Sequence, residues 1–292
     1  MKLASLKWKG EEKAGISIPG GWVLLETLNQ RFGLNCPADL LSLIESGALT
    51  ILKDWFHGEG RQALASSEAS LRLPGPIVFG PLYRRPRKIW GIGLNYKAHA
   101  RDLSEKAPES EPASFMKPDT TIIGPMDPIL IPRQSERTTA EAELGIIIGK
   151  QGRNVAQKDW LKWVAGFTTI IDTTAEDILR RNPRYLTRAK SFDTFFSFGP
   201  LLITPEEIEE VMHLEVATVL NGEVRASDRV ANMTFPPDFL VSFHSEVMTL
   251  LPGDIISSGT PGAAVIRHGD RVECRINGFE PLINPVKDLK TL

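Results

Sequence analysis

Glu141 and Glu143 stand two residues apart at the entrance of an apolar run, in TTAEAELGIIIGK. Leu144, Ile146 and Ile148 mark one face of a strand there, and Ile147 marks the other. Residues i and i+2 of a strand point to the same side, about 6.5–7 Å apart along the backbone. Carboxylates placed that close raise each other's pKa unless something positive lies between them. That face is therefore either wet or built around a cation. The next apolar run, VAGFTTIID, brings a third acid: Asp172 shares the parity of Thr168 and Ile170. The spacing predicts Asp172 at the end of its strand. Thr173 or Thr174 would then cap a following helix, with Glu176 or Asp177 as the capping-box partner. Three acidic oxygens without a neighbouring His or Cys suit Mg²⁺ or Mn²⁺ better than Zn²⁺. The alternative is two solvated glutamates on an edge strand and an aspartate in a turn.

Other stretches carry reactive side chains. In GIGLNYKAHARD, a helix would set His99 and Asp102 at i, i+3 on one face, where a carboxylate can orient and charge an imidazole as a general base. An exposed helix whose His and Asp merely pair is the plainer reading. In TRAKSFDTFFSFGP, Lys190 sits among small and apolar residues, with Phe192 and Phe195 nearby. An ammonium in that setting can neutralise an anionic substrate or a developing enolate. A surface lysine at the start of a loop is its alternative. DIISSGTPG ends a strand in a turn of Gly259, Thr260 and Pro261, whose hydroxyl and amides could hold a carboxylate. GIIIGKQG lacks the glycine spacing and the Ser/Thr of a phosphate loop.

These groups need a scaffold of ordinary soluble composition. Of the 292 residues, 42% are apolar and 24% charged, so a sizeable core is available to one large and one small domain. A net charge of −2 provides no basic field for nucleic acid or anionic lipid. The opening MKLASLKWKGEEK has no apolar core of signal length, and no apolar run approaches a membrane span. Cys36 and Cys274 lie far apart with no metal-like spacing, which points to a reducing compartment. Residues 1–75 read as a small α+β unit. KLASLKW, AGISI and GWVLLETL look like strands. NCPADLLSLIESG looks like a helix capped at Asn35 or Cys36 and stopped at Gly47. A second helix is expected within Thr50–Ser67, broken near Gly58 and Gly60. The proline-rich 76–87 reads as a stiff linker. From residue 88 to 292, short strands alternate with turns. Helices are expected only over Lys97–Lys106, Gln157–Trp163, Thr174–Arg181 and Pro237–Thr249. The rhythm of a doubly wound sheet is missing, so a mainly β, rolled or sandwiched architecture is expected.

GLNYKAHARD, FMKP, EAELGIIIGK, GFTTIIDTTAED, AKSFDTF, LNGEVR, LLPGDIISSGTPG and INPV occur in that order between Ile89 and Val286. Together they resemble the fumarylacetoacetate hydrolase (FAH) family, bacterial type with a small N-terminal domain. The resemblance implies a mixed β-roll and a Mg²⁺ or Mn²⁺ ion on Glu141, Glu143 and Asp172. It implies an active-site lysine at Lys190, a lid dyad of His99 and Asp102, and substrate contacts from Lys117, Gly259 and Thr260. It also implies a homodimer; a cytoplasmic location is expected from the cysteine usage. The sequence departs from the family in carrying Asp102 in place of a Glu and Glu176 where many members carry Arg. The activity implied is metal-dependent hydrolysis of a C–C bond in a β-diketo acid, of the acylpyruvate or diketo-deoxy sugar acid type. Decarboxylation of an oxaloacetate-type 2-oxo acid, isomerisation or hydration of a 2-oxo-dienoate, and a metal-stabilised binding protein without turnover are the rivals. Only hydrolysis needs an activated water, which makes His99 and Asp102 the discriminating pair.

Overall fold

The computed structural model describes residues 1–66, 71–97 and 108–291. His99, Asp102 and most of the helix expected over Lys97–Lys106 lie outside the described residues. The strands in chain order are β1 (Lys2–Trp8), β2 (Glu11–Ile18), β3 (Gly21–Leu24), β4 (Ile89–Gly93), β5 (Ala113–Met116), β6 (Ile122–Ile123), β7 (Ile129–Ile131), β8 (Thr138–Ile148) and β9 (Val164–Ala175). They continue as β10 (Phe196–Phe198), β11 (Leu201–Ile203), β12 (Glu215–Leu220), β13 (Glu223–Arg229), β14 (Ile255–Ser257), β15 (Ala263–Val265), β16 (Arg271–Ile276) and β17 (Leu282–Asp288). One sheet runs β3-β2-β1-β11-β9-β8-β14-β4-β5, with β6, β10 and β15 attached; a five-stranded sheet runs β13-β12-β16-β17-β7. This is the mixed, mainly β architecture with α+β elements that the sequence predicts.

The two faces of β8 explain how a charged site fits into this core. Ala140, Ala142, Leu144, Ile146 and Ile148 join Val216, Val272, Cys274 and Ile276 in the layer between the two sheets. The opposite face carries Glu141, Glu143, Gly145 and Ile147, because side chains alternate along a strand. At its far end Ile147 packs with Leu43, Leu52 and Ala165 beneath the N-terminal helices. The same face thus passes from apolar core to acidic residues within a few positions.

Residues 1–75 extend the large sheet: Lys2, Leu3 and Ala4 of β1 pair with Ile203, Leu202 and Leu201 of β11. The Met1 ammonium reaches Thr204 Oγ1 at 2.8 Å and Glu207 Oε1 at 2.5 Å. Several local expectations shift. GWVLLETL is a strand only to Leu24; Leu25–Phe32 is helical and ends on Gly33, whose φ of 69° suits glycine. In NCPADLLSLIESG the helix is Leu40–Glu45. Asp39, not Asn35 or Cys36, caps it by accepting from the Ser42 amide, and Pro37 stays outside. Gly58 and Gly60 do not break the second helix but sit in a π-turn over Phe56–Gly60. A Cβ on Gly60 would lie 2.7 Å from the Trp55 ring, so glycine permits that close packing. Gln157–Trp163 is 3₁₀ rather than α, and the late helix spans Pro237–Val247.

Candidate active site

β8 and β9 pair along their whole length, which sets Asp172 directly opposite Glu141 and Ile170 opposite Glu143. Glu141, Glu143 and Asp172 each bring a carboxylate oxygen within 4.8 Å of the others. Among the described residues no other acid, His or Cys cluster has this form. Asp172 is not at the end of its strand as expected; pairing continues to Ala175, opposite Thr138. Thr173 and Thr174 therefore belong to the ladder and cap nothing, and the helix starts at Glu176. Its first amides, on Glu176 and Asp177, reach the Arg137 carbonyl instead. Thr174 turns its hydroxyl to Glu141 Oε1 at 3.1 Å.

Two lysines answer the acids. Lys190 ends the short helix Leu186–Lys190 and donates to Glu141 Oε2 at 2.7 Å and Asp172 Oδ2 at 2.5 Å. Lys117, just after β5, donates to Asp172 Oδ1 at 2.6 Å and to the Lys190 carbonyl. Each Asp172 oxygen thus holds one ammonium. Three carboxylates, when all are ionised, outnumber the two ammoniums by one unit of negative charge in a buried place.

The titration of these groups follows from that crowding. Burial pushes the Asp172 carboxyl up, but Lys117 and Lys190 outweigh it and hold it below the usual aspartate range. Burial, with Asp172 adding to it, pushes Glu143 up to about 8 despite the Lys190 charge. Burial works against the Lys190 ammonium, yet Asp172, Glu141 and Glu143 together hold its pKa above that of an ordinary lysine. In the metal-free site Lys190 is thus held as an ammonium that donates to both Glu141 and Asp172. Burial pulls the Lys117 amine below its ordinary value, with the Lys190 charge assisting and Asp172 opposing.

The turn after β14 grips the third acid. Glu143 Oε2 accepts from Ser257 Oγ at 2.5 Å and from the Gly259 amide at 2.8 Å. Gly259 has φ +96°, and a Cβ there would lie 2.7 Å from Asn95 Cβ, so the turn requires glycine. Asn95 fastens the turn by donating to the Phe235 and Ser258 carbonyls at 2.9 and 2.7 Å while accepting from the Phe235 amide. Thr260 is buried, and its hydroxyl serves its own turn: it donates to the Gly262 carbonyl at 3.0 Å and accepts from the Gly262 amide. The last wall is Phe115, whose ring centroid is 5.0 Å from Lys190 Nζ. A Cβ on Gly91 would fall 2.2 Å from that ring.

Lys117, Glu141, Glu143, Asp172, Lys190 and the Gly259 amide therefore converge, whereas His99 and Asp102 are outside the described residues. Ser257, Asn95, Gly91 and Phe115 were not singled out from sequence. Phe115 on β5 stands two residues before Lys117, which was a usable signal; the neighbours of Ser257 and Asn95 are set by long-range pairing. The oxygen-only donor set and its residual negative charge fit a hard divalent cation held by Glu141, Glu143 and Asp172.

A family model described as the fumarylacetoacetate (FAA) hydrolase C-terminal domain matches residues 88–287. An oxaloacetate tautomerase of Rattus norvegicus, named as mitochondrial, is 32% identical over 277 residues, covering 92% of this chain and 85% of the relative. An uncharacterized protein of Pyrococcus horikoshii is 40% identical over 215 residues, 72% of this chain and 92% of its own. Among solved structures, maleylpyruvate hydrolase from Sphingobium sp. SYK-6, in complex with manganese(II) ion and pyruvate, aligns over 99% of both chains with a TM-score of 0.78 and 26% identity. Fumarylacetoacetate hydrolase from Exiguobacterium antarcticum aligns over 99% of both chains with a TM-score of 0.79 and 27% identity. With the family model spanning more than half of its length and the rat relative nearly all of it, this chain belongs to the fumarylacetoacetate hydrolase family.

Proposed function

We propose that the chain is a divalent-metal-dependent enzyme that forms and stabilises the enolate of a 2-oxo acid, with keto–enol tautomerisation of an oxaloacetate-type substrate as its reaction. The observation that carries this reading is the placement of Lys190 Nζ at 2.7 Å from Glu141 and 2.5 Å from Asp172, beside the cluster of three acids. Glu141, Glu143 and Asp172 would hold the Mg²⁺ or Mn²⁺ ion, which when bound supplies Lewis-acid polarisation of the 2-oxo group. With all three acids ionised around a dication and both lysines charged, the site would carry one net positive charge. The site would then attract an anionic substrate, as the carboxylates of an oxaloacetate-type 2-oxo acid make it. Lys190 donates a hydrogen bond where negative charge grows on the enolate oxygen, while the proton leaving the α-carbon passes to solvent water. Lys117 keeps Asp172 ionised and oriented, and the Gly259 turn fixes Glu143. Tautomerisation is favoured over the rivals because the oxaloacetate tautomerases are 32% and 33% identical to this chain, against 26% for the maleylpyruvate hydrolase.

Hydrolysis of a C–C bond in an acylpyruvate is the second reading, favoured by the likeness to maleylpyruvate hydrolase. It requires a base for water, a role for which His99, oriented by Asp102, is proposed. The two are separated by assaying oxaloacetate keto–enol conversion and acylpyruvate cleavage with Mg²⁺, in the wild type and in His99→Ala. Conversion without cleavage supports the tautomerase. Cleavage that falls roughly 10²–10⁴-fold in His99→Ala supports the hydrolase. Neither activity in the presence of Mg²⁺ or Mn²⁺ overturns both.

A further inference from the structure

Glu143 is tied at one end only. Both of its donors, the Ser257 hydroxyl and the Gly259 amide, converge on Oε2. Ser257 can reach it because of what surrounds it. Its register partners are Gly145 on β8 and Gly91 on β4, neither of which has a side chain to occupy the lateral space. The gap beside Gly145 is closed by Ile170 and Thr168 and the gap beside Gly91 by the Phe115 ring. Ser257 is itself only 1% exposed, so no solvent competes for its hydroxyl. A small hydroxyl side chain between two glycines, aimed at a buried carboxylate, is a built contact, not a surface accident.

We propose that Ser257 is a positioning residue that restricts Glu143 to a single-oxygen ligand and thereby sets which cation the site prefers; this rests on the metal reading above. A carboxylate free at both ends can bind through both oxygens. With Oε2 occupied by two donors, Oε1 is the oxygen left to meet a cation. Mg²⁺ takes single oxygens in a tight octahedron, and Mn²⁺ shares its preference for octahedral oxygen sites. Ca²⁺ has a looser shell and accepts bidentate carboxylates. The Ser257 hydroxyl therefore favours the small cations over Ca²⁺, and its removal narrows that preference.

The test is calorimetric titration of the full chain with Mg²⁺, Mn²⁺ and Ca²⁺ separately, in the wild type and in Ser257→Ala, Ser257→Cys and Ser257→Thr. Changes to groups that orient metal ligands typically cost about 10–100-fold in affinity, so Ser257→Ala should weaken Mg²⁺ and Mn²⁺ by at least about tenfold. Ca²⁺ affinity should fall much less. Ser257→Cys, which keeps the shape but is a weak donor, should follow Ala, and Ser257→Thr should restore Mg²⁺ binding because it keeps the hydroxyl. Unchanged Mg²⁺ affinity in both Ser257→Ala and Ser257→Cys overturns the proposal, as does an equal loss for Mg²⁺ and Ca²⁺. A wild-type protein that binds none of the three cations overturns the metal reading itself, a result distinguishable from either.

Discussion

Lys117→Met tests whether the acids are assembled around charge. The side chain is fully buried, and its ammonium occupies one oxygen of Asp172 and the carbonyl of Lys190. Methionine keeps much of the volume and removes the charge, leaving Asp172 with one ammonium where it had two. Breaking a buried ion pair from one side costs roughly 3–5 kcal/mol. Asp172 retains Lys190 at 2.5 Å. The lower end, about 3 kcal/mol, is therefore the expected loss. For a chain of this size each kcal/mol moves the melting temperature by about 2–4 °C, so the metal-free variant should melt about 6–12 °C below the wild type. Added Mg²⁺ should behave differently in the two proteins. At a hundredfold excess over Kd a ligand adds about 2.7 kcal/mol, and the more negative site of the variant should bind the dication more tightly than the wild type, so the same Mg²⁺ concentration should narrow the deficit. Thermal unfolding in EDTA and in saturating Mg²⁺ measures both effects. A variant that melts within about 2 °C of the wild type in EDTA, below the shift from even 1 kcal/mol, would refute the charge argument. So would a large deficit that Mg²⁺ leaves untouched.

Gly259→Ala should weaken Mg²⁺ binding and cost about 1–3 kcal/mol of stability, since a side chain at φ +96° is strained and its Cβ collides with Asn95; calorimetry and denaturant unfolding check it, and wild-type values in both would exclude the proposed grip on Glu143. Gly91→Ala should lower turnover while Mg²⁺ affinity stays near that of the wild type, because the new methyl displaces the Phe115 ring from Lys190 but touches no acid; equal turnover would remove Phe115 from the site. His244 is buried, packs at a tilt against Trp90 and bonds Ser114 and the Leu240 carbonyl, and burial holds its pKa below the ordinary 6.5. Its folded state therefore resists protonation: the contribution is complete above about pH 6.5 and is lost as pH falls from there through the lower folded value. His244→Gln should flatten that limb of the stability–pH curve, and an unchanged acid limb would contradict the assignment.

The acidic triad was legible because parity is local. Glu141 and Glu143 share a face by spacing alone, and Asp172 announces itself at the end of the next apolar run. What spacing could not supply was register. Asp172 reads as a strand end only if β9 stops there, whereas β8 needs partners as far as Thr138, so the ladder continues through two threonines to Ala175. The capping preference of Thr173 and Thr174 loses to hydrogen bonds that the longer strand provides. The N-terminal segment shows the same limit at greater distance. Its strands were visible, but the pairing of Lys2 with Ile203 joins residues that no local pattern connects.

Positions next to the site fall into two kinds for the same reason. Lys117 and Phe115 are i, i+2 neighbours, so once one faces Lys190 the other must do so too, and a reading by parity would have reached both. Ser257 is different. Its role depends on Gly145 and Gly91 lying on either side of it, from strands about 110 residues before and about 165 residues before it in the chain. A glycine in a strand normally weakens it and marks a close approach. Here two glycines flank one serine, and what they admit is a hydroxyl on one acid and an aromatic ring beside one ammonium. The chemistry of the site was therefore written in its charged residues. Its geometry depends on residues chosen for what they leave out, and those become readable only when the neighbouring strands are known.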